Sequence, residues 1–523
     1  MDKLFLQLNV CTELIEKLTN LESLNKFCAT FHEFATKLKN FLPKTEVDGY
    51  SKIHVETIYL CFTQIITCIT QLERTINLEE SLGATGGTHL LLTRTHFRDR
   101  IEWCLRRLQA SIYQLNEEAI ASTSVKLEDL SFVELLDLAL DKLESYSDIV
   151  EQDDNFNAED HLQLVGQVNH IVRHALAFAN VALESDKKAL IAICETVVDE
   201  SAAFEKNFEK YNRNERKLEA LSLQRALYSV ETYLNEALLR LIFSSLGEAT
   251  YVSELKNAFQ QSDSSIDLDK LICDFDINVD RIQQIGVFAI AFTQDVKTKT
   301  IIRSCLASLE SLDACIVPAF QFQATSAASY HADILENHFK EELVTFRNVV
   351  HEIIDSRALL NNYLDILDES IDNAAKLYPK GHLLKVTQMG NVLFEHFQLK
   401  VNCQELKDSA EGQRLHQDFI AILRECQAVL DVSIRVDLKR IVKRLKIFYS
   451  VLAKLRDLCD RLVYQRSVCN NEKPMTTSTK LKNFSHSFHN LERENTIVNK
   501  SLNSLNHESD LLSFHLTEIL RIS

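Results

Sequence analysis

Proline is nearly absent from this chain of 523 residues: four occur, none between Pro43 and Pro318, and only ten glycines join them. A β-sandwich or a doubly wound sheet needs a turn every ~8–12 residues, which so few turn formers cannot supply. Long helices are the architecture such a sequence permits. Uninterrupted apolar runs are also lacking. The nearest, Ile282 to Phe292, is short and carries Gln283 and Gln284, well under the ~18–20 residues that span a bilayer. The first residues, Met1-Asp2-Lys3-Leu4-Phe5, show no basic region ahead of an apolar run. No GxxxxGK[ST], GxGxxG or GxSxG pattern occurs, and the Gly83 to Gly87 loop has no lysine to reach a phosphate. These absences predict a soluble chain with no leader and no transmembrane segment. Thirteen cysteines, from Cys11 to Cys469 with no CxxC, read as reduced, buried thiols of a cytosolic protein.

What is present is charge and helical periodicity. The balance of 57 Lys+Arg against 75 Asp+Glu gives a net charge of −18, which disfavours a general nucleic-acid binder. With 46% apolar residues, the length suggests about three to five compact units. Phe339, Leu343, Phe346, Val350, Ile353, Leu360, Leu364, Leu367 and Ile371 hold a and d heptad positions, which predicts one long helix across them. A second stripe runs Ile434, Leu438, Ile441, Leu445, Phe448, Leu452, Leu455, Cys459, Leu462. Both read as seams of intramolecular bundles. Breaks in the pattern divide the chain into an N-terminal bundle (1–125), an acidic-led bundle (126–215), a middle bundle (216–331), a long-helix bundle ending in a basic heptad helix (332–466), and a linker with a helix (467–523). Ser131 with Glu134 forms a capping-box pattern ahead of an apolar run.

Charge is segregated. Residues 128–160 carry twelve acidic side chains against Lys142, whereas 435–466 carry ten Lys/Arg against Asp437, Asp457 and Asp460. On a helix Arg435, Lys439, Lys443 and Lys446 fall on one ridge and Arg440 and Arg444 on a second beside it, away from the seam. This is the candidate surface for an acidic partner, an actin filament or anionic lipid; the competing reading is a solvated face that balances the acidic segment. A smaller cluster of Arg94, Arg98, Arg100, Arg106 and Arg107 flanks Trp103, with Asp99 and Glu102 in pairing range.

Sites for chemistry are sparse. His170 and His174 stand one turn apart without the Glu of HExxH or an evident third ligand. Asp274, Asp276, Asn278 and Asp280 imitate a calcium loop, but Val279 and Ile285 stand where Gly and Glu are required. Asp153-Asp154 resembles half of a magnesium-binding pair, with Asn157 where an acid belongs. The expectation is therefore no catalytic residue, no cofactor and no metal.

The stretch FDINVDRIQQIGVFAIAF, Phe275 to Phe292, resembles an α-catenin helix that carries Phe and then a basic and an aliphatic residue six and seven positions on, here Arg281 and Ile282. Ile302-Arg303 and SLESLDACIVPAF (Ser308 to Phe320) follow, similar to that family's Leu-Glu-x-Leu segment. Phe339 to Ile371 is similar to its next long amphipathic helix, and His161 to Tyr211 resembles an earlier bundle. The resemblance to the vinculin and α-catenin family covers about residues 130–400. It implies an all-α fold of tandem long-helix four-helix bundles and a non-enzymatic adaptor, cytoplasmic and peripheral at the inner face of the plasma membrane. The implied partners are actin filaments, directly or indirectly, and membrane-associated cortical proteins, with a homodimer as a further option. Through a short member of the family at the embryonic cell cortex, the resemblance extends to membrane invagination during cellularization. The alternative that the same stripes would serve is a helical membrane-tethering or trafficking subunit without an actin role.

Overall fold

The computed structural model describes residues 2–42, 49–82, 90–118, 127, 130–148, 158–208, 213–247, 250–261, 267–322, 326–374, 380–431 and 437–469. Among them there are seventeen α-helices and no strand, the all-α architecture that scarce turn formers impose.

The first four helices are α1 (Asp2–Glu16), α2 (Leu21–Phe41), α3 (Gly49–Leu82) and α4 (Leu91–Glu118). Asn20 caps α2: its side chain accepts the Ser23 N–H at 2.9 Å, and Ser23 Oγ accepts the Asn20 N–H at 3.0 Å. The buried face of α2 presents Phe31 and Phe34 to Phe62 of α3, with ring centroids 5.0 and 6.1 Å apart. Aromatic pairs at this spacing add stabilisation beyond their buried area. Within helix α3, Ile53–Leu82 is long and apolar enough to cross a membrane by length and composition. It is not an unbroken apolar run, since Gln64, Gln71 and Arg74 interrupt the stretch. In the fold it is a core helix, with Ile58, Cys61, Phe62, Ile65 and Leu72 buried.

The next four are α5 (Phe132–Asp148), α6 (Ala158–Ala179), α7 (Glu184–Phe208) and α8 (Arg213–Ser245), which close on one another in a ring. The Ser131–Glu134 capping box forms as expected: Ser131 N–H donates to Glu134 Oε2 at 2.9 Å, and Glu134 N–H to Ser131 Oγ at 3.3 Å. Near the start of α7, buried Asp186 accepts from Arg240 Nη2 at 2.8 Å and from Tyr233 Oη at 3.1 Å, which ties α7 to α8.

Then come α9 (Thr250–Gln261), α10 (Leu268–Phe292), α11 (Val296–Gln321) and α12 (Ser326–Ile353). Asp267 and Asp295 cap α10 and α11 by accepting the N–H of Lys270 and Thr298. A Cβ at Gly286 of α10 would lie 2.5 Å from Leu306 of α11, so glycine is what lets these two helices approach. The imitation calcium loop is not a loop, since Asp274 to Asp280 lie inside α10.

The last five are α13 (Ser356–Ala374), α14 (Lys380–Gln398), α15 (Lys400–Asp408), α16 (Ala410–Asp431) and α17 (Leu438–Cys469). The long helix expected from Phe339 to Ile371 is two helices. α12 ends at Ile353, and Asp355 caps α13 by accepting the N–H groups of Arg357 and Ala358, both at 2.9 Å. The stripe survives because every member is buried, but α12 packs chiefly with α11 and also with α10, α4 and α14, and α13 chiefly with α17 and also with α14 and α8. The second stripe is a buried seam from Ile441 through Leu445, Phe448, Leu452, Leu455 and Cys459, but Leu438 at the start of α17 is exposed, Leu462 is half-buried, and Ile434 lies outside the described residues.

Two features join distant helices. Helices α3 and α4 pack against α11 and α12 through a polar seam: Gln64 Nε2 donates to Ser304 O, Ser304 Oγ and Ser308 Oγ at 2.8–2.9 Å. Arg74 pairs with Glu341 at 2.7 Å, and Arg303 pairs with Glu56. Among the described cysteines every thiol is free and all but Cys273 and the half-buried Cys315 are buried. Burial pushes the Cys11 and Cys426 thiols up to about 12, which suppresses the reactive thiolate.

Candidate functional site

Helix α17 is held from below by aromatic packing. Phe448 stacks on Phe419 of α16, centroids 6.2 Å apart, and meets Tyr363 of α13 at 5.9 Å. Tyr363 Oη in turn donates to Val386 O of α14 at 3.0 Å. A Cβ at Gly390 of α14 would lie 2.7 Å from Leu423 and 3.0 Å from Tyr363 Oη, so the layer beneath α17 is closely packed. With one face so fixed, the 3.6-residue period turns positions 439, 443, 446, 450 and 454 to the other side.

Lys439, Arg440, Lys443 and Lys446 are exposed there, and none makes an ion pair with a described carboxylate. Arg444 differs: its Nε lies 2.7 Å from Glu425 Oε1 of α16, so its charge is met within the fold. Arg435 lies outside the described residues. The structure adds Lys454, exposed and also without an ion pair; its spacing of eleven from Lys443 signals it in the sequence. From Lys439 to Lys454 the row is about 22 Å long at 1.5 Å per residue. Beyond it, among the described side chains, Arg456 is met by Asp457 and Arg461 by Glu411, both at 2.7 Å. Arg357 of α13 also reaches Asp460 at 3.6 Å.

The uncompensated charge therefore gathers in the N-terminal half of α17, and Lys439 and Arg440 stand in its first turn, where the helix dipole is itself positive. Asp437 opposes it, accepting the Lys439 N–H at 3.2 Å. Cations crowded at this end cost helix stability, each roughly 0.3–1 kcal/mol close to the terminus, so local folding does not account for them. On a chain of net charge −18, the row is a local field of opposite sign that attracts acidic surfaces.

The other sequence candidates fall elsewhere. The arginines near Trp103 are largely paired: Arg94 with Glu79 at 3.2 Å, Arg98 with Asp99 at 3.3 Å, and Arg106 with Glu102. His170 and His174 are half-buried on α6, and among the described residues no group of three or more His, Cys, Asp or Glu is placed to hold a metal ion. Asp153 and Asp154 and the Gly83 to Gly87 loop lie outside the described residues, as does most of the acidic loop that follows Asp148.

Helices packed in this order define an all-α protein with the fold of the vinculin and α-catenin type. A solved vinculin homologue from a sponge superposes with a TM-score of 0.51 at 13% identity, covering 88% of this chain and 59% of that one. The particular family follows from sequence: the model of the serendipity locus alpha protein (SRY-A) matches residues 1–523, and the chain belongs to that family. Serendipity locus protein alpha of Drosophila virilis is 69% identical, and that of Drosophila pseudoobscura pseudoobscura 50% identical, each over 100% of both chains.

Proposed function

We propose that this chain is a non-enzymatic cytoskeletal adaptor of α-catenin type, which organises cortical actin filaments at the inner face of the plasma membrane during the membrane invagination of embryonic cellularization. It works in the cytoplasm as a peripheral protein, with membrane-associated cortical proteins as further partners and no cofactor. Family membership and the vinculin-like fold support the reading. The observation that carries its contact surface is the row of unpaired cations on α17, Lys439, Arg440, Lys443, Lys446 and Lys454, on a chain of net charge −18. Such a row takes an acidic surface, an actin filament or anionic lipid, by long-range attraction rather than by a fitted pocket. Arg435 and Arg444 belong to the same face in sequence, Arg444 as the member tied to Glu425.

The test is cosedimentation of the intact protein with actin filaments and, separately, with anionic vesicles, set against a Lys439/Lys443/Lys446→Glu variant. Binding by the native chain that falls with the variant and with rising salt is expected. Filament binding indifferent to the variant removes α17 from the contact. Vesicle binding without filament binding, together with undisturbed cortical filaments after depletion in embryos, selects the membrane-tethering reading instead.

A further inference from the structure

Trp103 is the one tryptophan of the chain, and it is 45% exposed on the outer face of α4. Leu92, 68% exposed, stands eleven residues earlier in the same row of that helix, about 16 Å away, and Tyr113, 51% exposed, lies about 80° round it. Two guanidiniums cover the indole: Arg100 Cζ lies 5.2 Å and Arg107 Cζ 5.1 Å from the ring centroid. Neither charge is met by a carboxylate among the described residues. The Nε and Nη2 of Arg100 donate to neutral acceptors, Gln64 Oε1 at 3.1 and 3.0 Å and Ala307 O at 2.9 Å. Their neighbours Arg98 and Arg106 are already paired with Asp99 and Glu102.

A guanidinium stacked on an indole has lost its rotamer freedom before any partner arrives, and its planar fork suits a carboxylate. Exposed Trp, Tyr and Arg together are the residue types that dominate binding energy at protein interfaces. Leu92 and Trp103 recur at helical spacing along one rod, which fits a second rod laid beside it. A planar anionic lipid surface is a poorer match because Asp99 and Glu102 alternate with the arginines on this face and would meet its headgroups, whereas carboxylates spaced along a helix can meet the arginines alone. We propose that this face of α4 docks an acidic amphipathic helix of a partner protein, whose carboxylates close on Arg107 and on the remaining Nη1 of Arg100 while its aliphatic side chains cover Trp103. The surface is separate from the lysine row of α17, which has no exposed aromatic residue among the described side chains, and does not depend on that row's assignment.

Because Trp103 is the sole indole, its fluorescence in the intact protein reports the face directly. The probe is a synthetic helix of about 20 residues, Leu and Glu at three- and four-residue spacing, compared with the same peptide carrying Gln for every Glu. A saturable shift in Trp103 emission is expected with the Glu peptide. Affinity should be roughly tenfold weaker for the Gln peptide and for Arg107→Gln. It should be unchanged in a Lys439/Lys443→Glu variant, with thermal melts confirming that each variant is folded. Labelled-peptide anisotropy extends the comparison to Trp103→Leu, which should also bind more weakly. The proposal is overturned by the absence of a saturable shift, by equal affinity for both peptides, by indifference to Arg107→Gln, or by loss that follows the α17 variant. It is equally overturned if anionic vesicles shift Trp103 in place of the peptide, or if dilution reveals self-association that Trp103→Leu abolishes.

Discussion

Glu342 of α12 shows what burial does to one side chain in this molecule. Desolvation raises its carboxyl to about 7, although hydrogen bonds from Cys305 and Ser308 of α11 pull the other way. His338 Nδ1 stands 4.0 Å from it, but burial holds that imidazole down to about 3, so it stays neutral when Glu342 titrates. A carboxyl raised in the fold contributes stability that is present below its unfolded value of about 4.5 and is lost as pH rises through about 7. Glu342→Gln removes that loss. The variant is expected to be more stable than the native chain at pH 8 by about 3 kcal/mol, with the gap closing by about pH 4; urea melts across this range check it. A gap that is constant with pH means the carboxyl titrates alike in the folded and unfolded chain. Nothing in the sequence around Glu342 marks it apart from Glu341 beside it; only the packing of α11 on α12 does.

At the scale of the element, the break between α12 and α13 carries the instructive difference. Both helices keep the same heptad phase, so the apolar pattern runs through the break unaltered, and a reading by periodicity joins them. The signal that marks the boundary is Asp355-Ser356, a pair of cap-forming residues between Ile354 and Arg357. Asp355→Ala should cost about 1 kcal/mol of stability, the usual worth of an N-cap, measured by chemical denaturation; no loss would mean that α12 and α13 hold the corner by packing alone. Helix α17 offers the opposite contrast between its two faces. Leu452→Ala, in the buried seam, should cost about 2–5 kcal/mol. Lys443→Glu, across the helix, should change stability by less than about 0.5 kcal/mol while reducing attachment to acidic surfaces. The seam and the basic face were both legible because a one-sided helix writes its two environments into alternating residue types. The pairing of Arg444 with Glu425 was not, since it depends on how α16 lies beside α17.

For the whole molecule, scarce proline and glycine were enough to announce an all-helical chain, and the order of its amphipathic segments pointed to the family of folds. Long-range assembly was beyond such reading. Gln64 and Ser304 are 240 positions apart, and neither stands out in its own helix as a residue that needs a partner. The α3–α4 pair therefore meets α11 and α12 through amides, hydroxyls and ion pairs as well as apolar contacts, and that mixture bears on the order of events during synthesis. The N-terminal helices leave the ribosome long before α11 exists. A flank carrying Gln64, Gln71 and Arg100 can be wetted while it waits, so the unfinished chain offers less adhesive surface to its neighbours in a crowded polysome.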